Sequence, residues 1–240
     1  MPEPVLKSTQ AALVARLRRE IAAGELQRGD RLPPEREMAE YFGVSRARLR
    51  QALDQLEGEG ALFRRRGQGT FVQPPPATDA AGLHRLARRV RPQDVMEVRL
   101  EIEPALAGLA ALRANEKARA VFAEVAQATL DAPDQQSYEI ADDIFHYKIA
   151  EMAQNPLFLT VYESIRSVRQ QAMWTRTRAK TYSAEVTSVL GQQHQRLAKA
   201  ILNGEAEAAT EAMRDHLICV SRTLMQAGPV VPQKTGDPCS

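Results

Sequence analysis

The chain has 240 residues, enough for two domains with separate cores, and its 32 Lys/Arg against 30 Asp/Glu leave a formal charge of only +2. That balance is too mild to identify a nucleic-acid binder by itself, so any such function must come from clustering of the cations. The two cysteines, Cys219 and Cys239, lack CxxC spacing and argue against a disulfide scaffold, and Cys219 reads as a small buried apolar residue. No apolar run approaches the roughly 18 residues of a membrane span, and no signal-peptide core opens the chain, so a soluble cytoplasmic protein with no membrane partner is expected.

In chain order, Leu13, Leu17 and Ile21 recur at helical spacing beside Val14 and predict a first helix, with Ser8 or Thr9 able to cap it and Gly24 suited to its end. Pro33-Pro34 opens a second helix through Met38 and Ala39, which Gly43 stops. Ser45 caps a third, whose apolar face is Leu49, Ala52, Leu53 and Leu56. Leu62-Phe63 and Thr70-Phe71-Val72 read as short strands around Gly67-Gln68-Gly69. The layout is a winged helix-turn-helix over residues 1–73, which carry 13 Lys/Arg against 10 Asp/Glu.

Gln73-Pro74-Pro75-Pro76 is a stiff linker, and residues 74–93 form a connection with one short helix through Leu83, Leu86 and Val90. From 94 to 228 every apolar stripe has helical period: Val95 to Leu109, Phe122 to Leu130, Ile140 to Ala153, Val161 to Val168, Val186 to Leu202 and Glu205 to Met225. Six or seven helices with short connections predict an antiparallel bundle, so the fold is mainly α. The Pro-rich stretch 229–240 reads as a disordered tail.

Arg46, Arg48 and Arg50 stand at the start of the third helix, and Arg64, Arg65 and Arg66 on the neighbouring hairpin. A recognition helix enters the major groove by its first turn, and arginine pairs bidentately with guanine, so Arg46 and Arg50 are candidate base readers. Arg36 could brace the backbone or reach a base; the hairpin arginines suit phosphates or the minor groove, and Gly67 and Gly69 let the wing approach a duplex. Any single arginine could equally be a solvated surface residue, but the combination points to double-stranded DNA.

Residues 10–72 resemble the head of the GntR family of bacterial transcription regulators. The matching pieces are Gly29-Asp30, Leu32-Pro33, Glu35-Arg36-Glu37, Gly43-Val44-Ser45-Arg46, Arg50 with Ala52-Leu53, and Gly69-Thr70-Phe71-Val72. The resemblance implies operator contacts by Arg36, Arg46, Arg50 and Gly67; Ser45, Arg48 and Arg66 complete the candidate set. Arg48 stands where related chains often carry a smaller residue, so it either tunes operator preference or touches phosphate.

In the helical body His146 follows Asp142 by four residues on an inward face, and His194 and His216 fall within the apolar stripes of two later helices. Each could be a hydrogen-bonded core histidine. Together, one carboxylate and three imidazoles suit a divalent ion, zinc first, with nickel, manganese or iron as alternatives. Residues 94–226 resemble the all-helical FCD-type ligand-binding domain of the FadR-like branch of that family. The matching pieces are Glu97-Val98-Arg99 with Glu103, Asp142 with Phe145-His146, Asn155-Pro156, Gln193-His194 and Met213-Arg214-Asp215-His216-Leu217. In metal-binding members an Asp and three His at these positions hold the ion, here Asp142, His146, His194 and His216. Gln193 departs from the pattern, since an acidic residue often stands there, and the short helix at 78–91 points to the seven-helix subtype.

An octahedral ion with these ligands leaves two positions for a small organic acid. Arg99 is then a candidate clamp for its carboxylate, with an ordinary ion pair to Glu103 as the alternative; Asn155 is a candidate contact, with a turn role as the alternative. The expected function is a homodimeric, sequence-specific repressor controlled by a carboxylate effector. A purely metal-responsive regulator is the runner-up. A metalloenzyme with a DNA-binding head is disfavoured, because no general base or nucleophile motif accompanies the ligands.

Overall fold

The computed structural model describes residues 9–26, 31–65, 68–75, 77, 80–170, 181 and 183–226. Gly29-Asp30, Arg66, Gly67, Thr78 and the tail 229–240 lie outside the described residues. The chain divides into two compact units, Met1–Pro75 and Pro76–Ser240.

In the first unit α1 (Gln10–Ala22) begins at Thr9, whose side chain accepts from Ala12 N, and buries Leu13, Val14 and Leu17. The short α2 (Glu35–Phe42) follows Pro34 and ends at Gly43. Gly43 has φ +63° with no atom within 4 Å of where a Cβ would stand, so backbone conformation rather than space demands glycine there. This left-handed residue turns the chain into α3 (Arg46–Gly58). Leu49, Leu53 and Leu56 are fully buried, and full burial of one leucine contributes about 1.5–3 kcal/mol. These residues join those of α1 and α2 in one apolar cluster that also takes in Leu32 and Leu62. The strands β1 (Phe63–Arg65) and β2 (Gly69–Phe71) pair antiparallel, Phe63 opposite Phe71, Arg64 opposite Thr70 and Arg65 opposite Gly69.

The second unit is helical throughout the described residues: α4 (Ala80–Ala87), α5 (Pro92–Arg113), α6 (Glu116–Asp131), α7 (Gln135–Met152), α8 (Pro156–Arg169), α9 (Ala184–Asn203) and α10 (Ala206–Gln226). The long α5 is central. It packs most extensively on α10 and also touches α7, α8 and α9, while α6 lies against α7 and α9, and α4 against α8. Asn115, Asp134 and Ser183 cap α6, α7 and α9 through their side chains, each satisfying an amide that the first turn leaves without an intrahelical partner. Cys219 is buried in α10 as its stripe predicts.

Candidate functional site

The head presents its cations unequally. Ser45 Oγ accepts from Arg48 N at 3.2 Å and fixes the start of α3. The apolar stripe turns the other flank outward, so Arg46, Ala47, Arg50 and Gln51 are exposed and Arg48 is half-buried. Arg50 donates to Glu35 Oε2 through Nε at 3.2 Å and Nη2 at 2.8 Å. Arg64 is tied down on α3 by Asp54 and Glu57. Arg36 and Arg46 are exposed, and the side chains of Arg36, Arg46 and Arg48 make no ion pair with the described residues.

In the body the predicted ligands converge. Asp142 and His146 lie one turn apart on α7, His194 on α9 and His216 on α10; all are buried, and one ligand atom from each lies within 4.8 Å of the others. Asp142 Oδ1 is 3.7 Å from His146 Nε2 and 3.5 Å from His194 Nε2, and His194 Nε2 is 3.3 Å from His216 Nε2. Four donors about 2.0–2.1 Å from a tetrahedral zinc stand roughly 3.3 Å apart, so these separations match an ion's ligand shell. His146 Nε2 is buried without a hydrogen-bond partner. A buried lone pair with nothing to bind is costly, and a cation at the point of convergence satisfies it.

Two of the three rings, those of His146 and His216, have an acceptor beside the far nitrogen. Glu103 Oε2 lies 2.8 Å from His146 Nδ1, although the approach is off line for a well-formed hydrogen bond. Gln193 Oε1 is 3.2 Å from His216 Nδ1, within reach of a proton on that nitrogen. Such acceptors keep Nε2 as the metal-facing atom. Burial, then the neighbouring His194 and His146, pushes His216 well below the usual imidazole range, so it is neutral and competent to ligate. Phe145 packs on His194 with ring centroids 4.4 Å apart and walls the site.

Arg99 and Glu103, both 1% exposed, form a two-point ion pair of 2.5 Å at Nε and 3.2 Å at Nη2. Burial opposes the charge on Glu103, but Arg99 and His146 outweigh it and hold that carboxyl well below the usual range. Arg99 thus makes the ion pair with Glu103. Asn155 Oδ1 caps α8, accepting from Leu157 N at 3.1 Å and Phe158 N at 3.3 Å.

Sequence reasoning missed the α8 side of the site. Arg169 Nη2 donates to Asp142 Oδ2 at 3.2 Å, Arg166 pairs with Asp143 at 2.6 Å, and the Tyr162 hydroxyl is buried without a hydrogen-bond partner. Burial and then the Glu103 charge push the Tyr162 phenol far above its ordinary value, so it stays protonated. The signal was present in the spacing: Tyr162, Ile165, Arg166 and Arg169 recur on one face of α8, and arginines on an otherwise apolar face are unusual.

A winged helix-turn-helix joined to an all-helical unit with an interior His/Asp cluster defines a class of regulator, and the comparisons agree. Residues 9–72 match the bacterial regulatory proteins of the gntR family and residues 94–218 match the FCD domain. The chain belongs to the GntR family, in the branch with an FCD domain, and is a DNA-binding transcription regulator rather than an enzyme. It is 29% identical to the Uxu operon regulator of Haemophilus influenzae, over 95% of this chain and 86% of that one. It is 34% identical to a candidate L-lactate dehydrogenase operon regulatory protein of Escherichia coli, over 87% and 83%. LutR of Bacillus subtilis is 29% identical over 85% and 95%. Among solved structures, Escherichia coli McbR/YncC shares the fold at a TM-score of 0.50 and 18% identity, with 92% of this chain and 99% of that one covered.

Proposed function

We propose that the protein is a homodimeric, cytoplasmic repressor whose operator affinity is set by a small carboxylate effector bound at or beside a divalent ion, zinc foremost, held by Asp142, His146, His194 and His216. The observation that carries this reading is the convergence of three imidazole Nε2 atoms and one carboxylate oxygen inside the body. When bound, such an ion supplies a Lewis-acid point for a carboxylate and an adjacent hydroxyl. The chain's own residues orient and insulate that point. Glu103 and Gln193 hold two rings, Phe145 excludes water, and Arg169, touching Asp142, is the guanidinium best situated to meet an anion, with Arg99 occupied by Glu103. A hydroxy acid fits this chemistry, and one relative's name refers to an L-lactate dehydrogenase operon.

On the DNA side we propose that Arg46 and Arg50 read bases, with Arg36, Arg48 and Arg66 on the backbone, Ser45 fixing the helix start and Gly67 at the wing. The Glu35 carboxylate that holds Arg50 would then pre-orient that side chain.

Metal content of the purified protein, followed by gel shifts on DNA flanking its own gene with and without hydroxy acids, tests the reading. Specific retardation that hydroxy acids relieve only in metal-replete protein is expected. Release by metal alone would make the ion the signal, and absence of bound metal after reconstitution would remove the basis of the proposal.

A further inference from the structure

The wing has a third participating segment. Arg31 bridges Phe71 in antiparallel fashion, and Leu32 N donates to Thr70 O at 2.9 Å. Opposed residues share a face, so Arg31 stands on the side of Phe71, Gly69 and Arg65, while Arg64 and Thr70 point to the other. Arg31 and Arg64 therefore differ. Arg64 faces α3, where Asp54 and Glu57 neutralise it. Arg31 is exposed and has no ion pair or side-chain hydrogen bond with the described residues.

Gly69 explains where the Arg31 side chain lies. A Cβ on Gly69 would stand 2.9 Å from Arg31 Nε, 3.2 Å from Nη2 and 3.4 Å from Cζ. The edge of the guanidinium that carries Nε and Nη2 therefore comes up against the bare α-carbon, and φ of +117° at Gly69 also disfavours any other residue. The wing glycines read in sequence as devices for approaching a duplex; Gly69 additionally seats a cation.

We infer that Arg31, held on Gly69, is a phosphate-binding residue of the wing, and that Arg64 is not. The inference rests on the DNA-binding role of the family and is independent of the metal and effector. A free guanidinium releases about 0.9 counterion-equivalents per phosphate it neutralises, whereas a guanidinium already paired with two carboxylates must first give up that pairing. A contact of this kind weakens binding equally across sequences.

The test is the salt dependence of binding by the full-length protein to a labelled 30-base-pair duplex, read by anisotropy between 50 and 300 mM NaCl. For R31Q the slope of log K against log [NaCl] is expected to fall by about 0.9 in magnitude, with a roughly five- to tenfold affinity loss near 100 mM. R31K should keep the slope, and R64Q should leave it unchanged. Circular dichroism melting of R31Q should match the wild type, since Arg31 is exposed and has no ion pair among the described residues. A wild-type slope for R31Q, or an equal fall for R64Q, would overturn the assignment.

Discussion

The two units of this chain use charge in opposite ways. In the head the buried set is almost wholly apolar, and the cations stand outside on α3 and the wing. In the body the interior holds Arg99, Glu103, Asp142, His146, Glu163, Arg166, Arg169, His194 and His216. Buried ion pairs seldom stabilise a fold relative to well-packed apolar residues. The contrast therefore teaches that the head was built for a polar surface on a simple core, and the body for chemistry inside one.

The sharpest way to break that contrast is at Glu103. Glu103→Ala removes the carboxylate that pairs with buried Arg99, and chemical denaturation should show a loss of about 3–5 kcal/mol. The double variant R99M/E103L should recover most of that stability while metal affinity, measured by calorimetry, stays ten- to a hundredfold weaker. If the double variant binds metal as the wild type does, the body's buried charge has no ligand-positioning purpose. A comparably large effect is expected in the head from Leu53→Ala, about 2–5 kcal/mol, with no change in metal binding.

Next in size is the effect of metal itself. At a concentration a hundredfold above Kd, zinc should stabilise the wild type by about 2.7 kcal/mol, and His194→Ala should abolish the gain in a thermal melt. A gain retained in His194→Ala would place the ion elsewhere. On the outside of the head, Arg46→Ala should weaken operator binding by about 1–3 kcal/mol without shifting the melting temperature, as competition gel shifts can measure. The smallest effect belongs to the cap: Ser45→Ala should cost about 1 kcal/mol of stability, read from urea unfolding.

Much of the fold was legible in the chain because both periodicities are strong. The stripes Leu49–Leu56 and Val186–Leu202 declare helices and their buried faces, and Gly43 marks the helix-turn-helix corner. The convergence of the Asp/His cluster was legible for the same reason, since Asp142 and His146 are one turn apart and His194 and His216 interrupt apolar faces. Pairing between distant segments was not. Arg169 meets Asp142 across 27 residues, Arg50 meets Glu35 across 15, and Arg31 meets Phe71 across the whole helix-turn-helix. Periodicity says which way a side chain faces but not who waits there, so the chain alone left open whether Arg99 pairs with Glu103 and whether Asn155 caps α8, contacts that the structure shows.

The pairing of Glu103 with Arg99 and of Asp142 with Arg169 has an electrical consequence. With those carboxylates balanced by guanidinium groups, and His216 uncharged, this part of the interior approaches neutrality before any ion arrives. A divalent cation would then carry its two positive charges into a low-dielectric space where Glu103 and Asp142 are already balanced. Whatever small molecule joins it gains most if it is itself negative, so local electroneutrality would make an acid a better companion than a neutral sugar or an amine.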